Sequence, residues 1–241
     1  MNYIHRHDPN LAKIELIAGV LGSLRERLVF VGGCAAGLLL TDPAAAPARV
    51  TYDVDLTVQV AALSDYHRLE KEFRGLGFVR DLDMDVICRW RYRDLEVDLM
   101  PTDPAILGFA NRWYPLVVET AQCVRLPAGF DIRLITAPAF IATKFEAFSD
   151  RGKGDLLGSH DLEDILTVLD GRAELPEEIA NASDELRAYL AMRCGDLVAS
   201  PGFLDYLPGM IAPSETLGER VSILADRLRQ IARLACTPKL K

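Results

Sequence analysis

The chain has 241 residues, half of them hydrophobic and 26% charged, a globular composition long enough to bury its own core and unlike a disordered or collagen-like chain. Charge sums to 27 basic against 35 acidic side chains, or −8 with histidine neutral. That balance argues against a broad, non-specific nucleic-acid binder but leaves room for a local basic cleft. Five cysteines, Cys34, Cys88, Cys123, Cys194 and Cys236, lie too far apart for a zinc or redox motif and read as reduced core residues. The longest mostly apolar stretch, 28–40, is too short to span a bilayer, and residues 1–8 lack a signal layout. The expectation is a soluble, cytoplasmic protein with no membrane partner.

Apolar residues at helical spacing predict a helix over 10–27, starting at Asp8-Pro9. Leu28 to Val31 reads as a short buried strand ending at Gly32-Gly33, with a short helix from Cys34 to Leu40 that Asp42-Pro43 stops. Val54, Leu56, Val58 and Val60 alternate with polar residues, the mark of a half-buried strand. A helix over 64–77 follows, with Ser64 as cap and Gly77 as stop. Strands over 86–92 and 95–100 form a hairpin turning at Arg93-Asp94. Beyond them come a short helix near Ala105, a strand or helix over 116–124, a turn over 126–130 and a strand over 132–135. From Thr136 onward helical periodicity dominates, over 138–148, 161–169, 178–192 and 217–234. The fold class is therefore α+β, a mixed sheet flanked by helices in residues 1–136 and a mainly helical second domain in 137–241.

The chemistry concentrates at Asp53-Val-Asp55. Strand residues two apart share a face, so both carboxylates point one way while Val54 and Leu56 enter the core. Their mutual repulsion calls for a cation, and magnesium, bound by few carboxylates and shared with phosphate oxygens, suits a metal–nucleotide site. In Leu95-Glu-Val-Asp-Leu-Met100, the residues Glu96, Asp98 and Met100 share a face, and Asp98 would join the pair if the two strands are neighbours. Three carboxylates around two metals would align a hydroxyl with a nucleotide α-phosphate. Asp81-x-Asp83 and Asp83-x-Asp85 carry the same spacing in a polar turn and read as solvated. Gly32-Gly33 lets backbone approach a ligand just before a helix start, an arrangement suited to a triphosphate, although a plain tight turn fits equally well. A dinucleotide-binding reading fails, because the glycines are not G-x-G-x-x-G and Asp53 and Asp55 begin their strand instead of following it.

Val31-Gly-Gly-Cys-Ala-Ala36, Arg49-Val-Thr-Tyr-Asp-Val-Asp-Leu56 and Val97-Asp98, continued by Lys144, Arg151 and Ser159-His-Asp-Leu-Glu-Asp164, resemble the DNA polymerase β-like nucleotidyltransferase superfamily. Within it, the pattern is most similar to the AbiEii-type toxin group that includes the MenT-like enzymes. The resemblance covers about residues 28 to 170, and the order of its motifs is more specific than any one of them. It implies magnesium-dependent (or manganese-dependent) transfer of a nucleoside monophosphate from an NTP to a hydroxyl, first of all on tRNA or another RNA. It also implies a cognate antitoxin. Asp53 and Asp55 would hold the metals, and Asp98 would be a ligand or the base. Gly32 and Gly33 would cradle phosphates, and Lys144, Arg49 and Arg151 would contact nucleotide. Asp161 or Asp164 would orient Lys144 or Arg151, with the helical domain closing the nucleotide cleft. Many members carry Gly-Ser where this chain has Gly-Gly, a pair that the AbiEii-like branch also uses.

Several residues allow other readings. Lys144 either snorkels to the surface or faces a cleft. Arg49 fits a surface arginine as well, and Arg151-Gly-Lys153 lacks P-loop spacing. His160-Asp161 invites an HD-type phosphohydrolase, but the chain has only four histidines, and Ser159 with Asp161 and Glu163 reads better as a capped helix start. Arg89-Trp-Arg-Tyr-Arg93 presents one basic face that would form an acceptor strip if it flanks Asp98. A transferase acting on a small molecule or protein, and a non-catalytic nucleotide-binding module, are the remaining alternatives.

Overall fold

The computed structural model describes residues 8–80, 87–151, 155–212 and 215–236. They divide into two compact units, the first formed by residues 1–38 and 49–136, the second by 39–48 and 137–241.

The first unit begins with α1 (Leu11–Leu21), whose Ile14, Ile17, Ala18 and Leu21 are buried, and a 3-10 turn over Gly22–Glu26 replaces the last turn of the helix expected to reach 27. Next come β1 (Val29–Val31), a 3-10 turn over Gly33–Ala35, and α2 (Ala36–Leu39). β2 (Asp53–Val58) leads to α3 (Leu63–Gly75), β3 (Val79–Arg80), β4 (Arg89–Tyr92), β5 (Leu95–Pro101), α4 (Pro104–Leu107) and α5 (Tyr114–Thr120). β6 (Gln122–Arg125) and β7 (Asp131–Leu134) complete it. The stretch 116–124, open to either reading from sequence, is helix followed by strand. The helix expected to be capped by Ser64 starts at Leu63, one residue ahead of that serine, with Ala62 in the capping position and no side-chain cap. The expected polar turn at Asp81–Asp85, and the start of the strand at Val86, lie outside the described residues.

The strands form one mixed sheet in the order β3-β4-β5-β2-β1-β7-β6. β2 pairs parallel with β5 and antiparallel with β1, while β4 and β5 form the antiparallel hairpin. Arg93, with φ of 53°, takes the left-handed conformation such a two-residue turn requires. Val54, Leu56, Val97, Leu99, Phe30 and Trp90 are fully buried, so the sheet interior carries the apolar half of each alternation. Three of the cysteines expected in the core, Cys34, Cys88 and Cys194, are buried there, but Cys123 on edge strand β6 is exposed.

The second unit is helical: α6 (Ala137–Arg151), α7 (His160–Gly171), α8 (Leu175–Ala180), α9 (Asp184–Ala199), α10 (Phe203–Met210) and α11 (Leu217–Arg233). The single helix expected over 178–192 is two, because Ser183 caps a new start by accepting from the Leu186 N–H. Ser159 caps α7 in the same way, as its sequence predicts. Segment 39–48, expected to end a helix of the first half and continue as a loop, belongs to this unit. Thr41 and Asp42 donate their backbone N–H groups to the Gly171 carbonyl, at 2.9 and 3.0 Å. A Cβ at Gly171 would lie 2.6 Å from Leu40, so glycine is what permits that approach.

Arg220 locks the same segment. It bonds Asp170 at 2.8 Å and Asp42 at 2.5 Å and is 9% exposed at its side chain. Arg220→Ala strips the cation from two acids and is expected to lower stability by about 3–5 kcal/mol in chemical denaturation. Burial works to raise the Asp42 carboxyl, but hydrogen bonds from Arg220 and the Ala44 N–H, together with the charges of Arg220 and Arg227, outweigh it and hold the carboxyl below its ordinary value. The carboxyl thus adds stability above its unfolded-state pKa, and this contribution fades as pH falls through the lower folded value.

Candidate active site

β2 and β5 lie side by side with Asp53 opposite Glu96 and Asp55 opposite Asp98. Aligned residues of neighbouring strands share a face, so the register alone gathers four carboxylates on one side of the sheet. One oxygen from each of Asp53, Asp55 and Asp98 comes within 4.8 Å of the others. Asp98 is the buried member, 7% exposed, while Asp53 and Asp55 are half-buried.

Gly32 fits against this cluster for a steric reason. A Cβ there would lie 1.7 Å from Asp55 Oδ2, and the residue has φ of 68°, which L side chains rarely adopt. The carboxylate of Asp55 thus occupies the space that only glycine leaves open. Gly33 follows as the first residue of the buried 3-10 turn. Cys34, next along, is pushed far above the ordinary thiol range, first by burial and then by the charge of Asp55. It is an inert packing thiol.

Arg89 enters from the third strand. The antiparallel register sets it opposite Asp98, and its Nε and Nη2 each donate to one Asp98 oxygen at 2.8 Å. Its Nη1 reaches Glu96 at 2.7 Å, and Nη2 lies 3.8 Å from Asp53. The hydrogen bond with Asp98 is the main reason its guanidinium is held above its ordinary value, against the opposing effect of burial. Four carboxylates against one guanidinium leave a local formal charge of −3. Cys88 beside it is pushed up to about 12, by burial first and Asp98 second. Sequence reasoning placed Arg89 on an acceptor strip and passed over Glu96. The two-residue turn at Arg93-Asp94 was the signal, because it fixes the pairs 92–95, 91–96, 90–97 and 89–98.

An oxygen-only donor set of three carboxylates, held on adjacent strands with excess negative charge, matches what a hard divalent cation takes. Residues 15–233 match the family described as Nucleotidyl transferase AbiEii toxin, Type IV TA system. The chain belongs to this family. The chain is accordingly a nucleotidyltransferase, on an α+β fold. No curated protein sequence matches it. Among solved structures it is similar to the antibiotic-resistance factor ANT(2'')-Ia, whose solution structure is described as revealing substrate-regulated conformation dynamics. Identity there is 19% and the TM-score 0.42, over 66% of this chain and 83% of that one.

The remaining expected site residues of this AbiEii chain lie as follows. Arg49, half-buried, precedes β2, and its carbonyl accepts from the Asn10 amide at 2.8 Å. In the second unit, Lys144 on α6 is buried, with its ammonium 3.1 Å from Asp161 and 2.6 Å from Asp164 on α7. Burial of all three is sustained by that pairing, so Lys144 does not snorkel to the surface. Arg151 is the last residue of α6, and its side chain lies outside the described residues. His160 is 74% exposed and pairs with Glu163 at 3.1 Å. Among the described residues, the group able to hold a metal consists of Asp53, Asp55 and Asp98 and does not include His160. His5 and His7 lie outside the described residues. No described helix is long and apolar enough to cross a membrane.

Proposed function

We propose that this AbiEii nucleotidyltransferase moves a nucleoside monophosphate from an NTP to a hydroxyl of an RNA, tRNA first, using magnesium or manganese held by Asp53, Asp55 and Asp98. The observation that carries the reading is the β2–β5 register, which converges these three carboxylates to within 4.8 Å. A divalent cation bound there supplies charge neutralisation for phosphate oxygens.

The chain's own residues do the rest. Asp53 and Asp55, fixed by successive turns of one pleat, define where a phosphate can approach. Asp98 stands across from Asp55, placed to ligate or to accept the proton of the attacking hydroxyl. The Gly32-Gly33 turn brings main chain beside them with no side chain in the way, and Arg49 is the candidate for a nucleotide contact. In the second unit, Lys144, oriented by Asp161 and Asp164, is the candidate phosphate contact, with Arg151 beyond it on the same helix. We assign nucleotide closure to that helical unit as part of the same proposal.

Support for an RNA acceptor comes from the hairpin. Arg91, on the strand that delivers Arg89 to the cluster, and Arg93, in the turn after it, are exposed, a short cationic stretch on an otherwise acidic chain. The Type IV toxin family to which the chain belongs carries the further proposal of a cognate antitoxin as partner and of a cytoplasmic site of action.

The test is transfer from a panel of α-labelled NTPs, with magnesium and total cellular RNA, followed by size separation. Label entering the tRNA band and pyrophosphate release dependent on RNA support the reading and name the nucleotide. Label appearing on a protein or small molecule would replace the acceptor. NTP binding with no pyrophosphate release under any acceptor would contradict catalysis by the cluster.

A further inference from the structure

We infer that Arg89 is the resident counter-cation of the carboxylate cluster and that it restrains metal loading until nucleotide arrives. The inference rests on the proposal that Asp53, Asp55 and Asp98 hold the metal, and it concerns what that proposal leaves unexplained: why a guanidinium sits among the ligands.

The geometry is a full engagement of the side chain. The guanidinium edge grips both oxygens of Asp98 at 2.8 Å, its other nitrogen holds Glu96 at 2.7 Å, and Asp53 stands 3.8 Å away. Arg89 is 14% exposed at its side chain, so this charge is little screened by water. A guanidinium cannot leave such a site by losing its proton, unlike a lysine or histidine in the same place. It therefore acts as a fixed cation that lets the acids stay together when no metal is bound.

The same fixed charge opposes an incoming ion. Each carboxylate oxygen has two lone-pair directions, so Asp98 can accept from Arg89 and still face a metal. Repulsion between guanidinium and a divalent ion a few ångströms apart nevertheless weakens binding of the ion alone. Triphosphate oxygens add the negative charge that offsets it. Metal and nucleotide then load together, and the cluster stays discharged in between.

The experiment measures Mn2+ binding by electron paramagnetic resonance in the absence of nucleotide. Arg89→Gln removes the charge while keeping a donor for Asp98, and it is expected to bind Mn2+ about tenfold or more tighter than wild type. Arg89→Met, which removes both, is expected to change in the same direction and covers the case that one variant does not fold. Arg89→Lys keeps the charge without the fork and is expected to stay within about threefold of wild type. A purely structural Arg89 would instead make Gln, Met and Lys weaken binding alike. Neutral variants that fold, by circular dichroism, and bind Mn2+ no tighter than wild type overturn the inference. Adding Asp53→Asn to Arg89→Gln separates the two proposals. Loss of the gained site keeps the cluster as the metal site, whereas gained binding that survives it places the ion elsewhere and removes both.

Discussion

Asn in place of Asp53 is expected to cut nucleotidyl transfer by about a thousandfold or more without lowering the melting temperature. The substitution keeps the shape of a half-buried side chain and removes one negative charge from a cluster whose formal charge is −3. Mutual repulsion falls, so the folded state gains or holds stability while the cation site loses a ligand. Asp98→Asn is expected to match it in activity and differ from it in stability. Asp98 takes both arms of the Arg89 fork at 2.8 Å and is buried, so its neutralisation leaves a partly buried guanidinium short of its main partner. A loss of about 2–3 kcal/mol in urea denaturation is expected there. The pair of variants thus separates chemistry from fold. Activity retained by either purified variant would withdraw that residue from the site.

Gly32→Ala is expected to be nearly as damaging, through a single methyl group. The new Cβ would fall 1.7 Å from Asp55 Oδ2 and 2.4 Å from its Cγ, so either the carboxylate or the turn must move. The backbone at φ of 68° and ψ of −172° adds strain of about 1–3 kcal/mol for any L side chain. A displacement of about an ångström in a ligand is enough to lose roughly a hundredfold in rate. Transfer should fall by at least that factor, with a lower melting temperature. Gly75→Ala is the contrasting case. Gly75 lies in α3 with no atom within 4 Å of an added Cβ, so alanine there is expected to leave activity unchanged and to stabilise slightly. Equal activity of the Gly32 and Gly75 variants would show that Asp55 is not held where the chemistry needs it.

Strand alternation carried most of what the sequence shows of the site. Val54 and Leu56, like Val97 and Leu99, had to face the core, which left Asp53, Asp55, Glu96 and Asp98 on the opposite side of their strands. Their convergence needed one more fact, that β2 and β5 are neighbours, and no local pattern carries it. Arg89 was hidden by its own neighbourhood. Three arginines alternating with Trp90 and Tyr92 look like a solvated basic face, and only the hairpin register turns the first of them onto Asp98 while Arg91 and Arg93 stay exposed.

Long-range contacts explain the other differences. Segment 39–48 reads as loop because alanine and proline have no helical or strand period, and the bonds from Thr41 and Asp42 to Gly171 join residues about 130 positions apart. The break before α9 was legible in Ser183-Asp184-Glu185, a capping residue followed by acids, but continuous apolar spacing on either side concealed it. α10 escaped notice because Pro201-Gly202 and Pro208 punctuate a helix of only 8 residues. Lys144 is the converse case. Its apolar surroundings left open whether it snorkels or faces a cleft, and the two acids that make its burial tolerable lie 17 and 20 residues onward, on the next helix.

The most direct test of the central claim is pulsed electron–nuclear double resonance on the protein loaded with Mn2+ and an α,β-methylene NTP that cannot release pyrophosphate. Phosphorus couplings from the nucleotide in wild type, lost in Asp53→Asn and in Asp55→Asn, are the result this account predicts. Couplings that persist unchanged in both variants would place the metal–nucleotide complex away from the three carboxylates and contradict it.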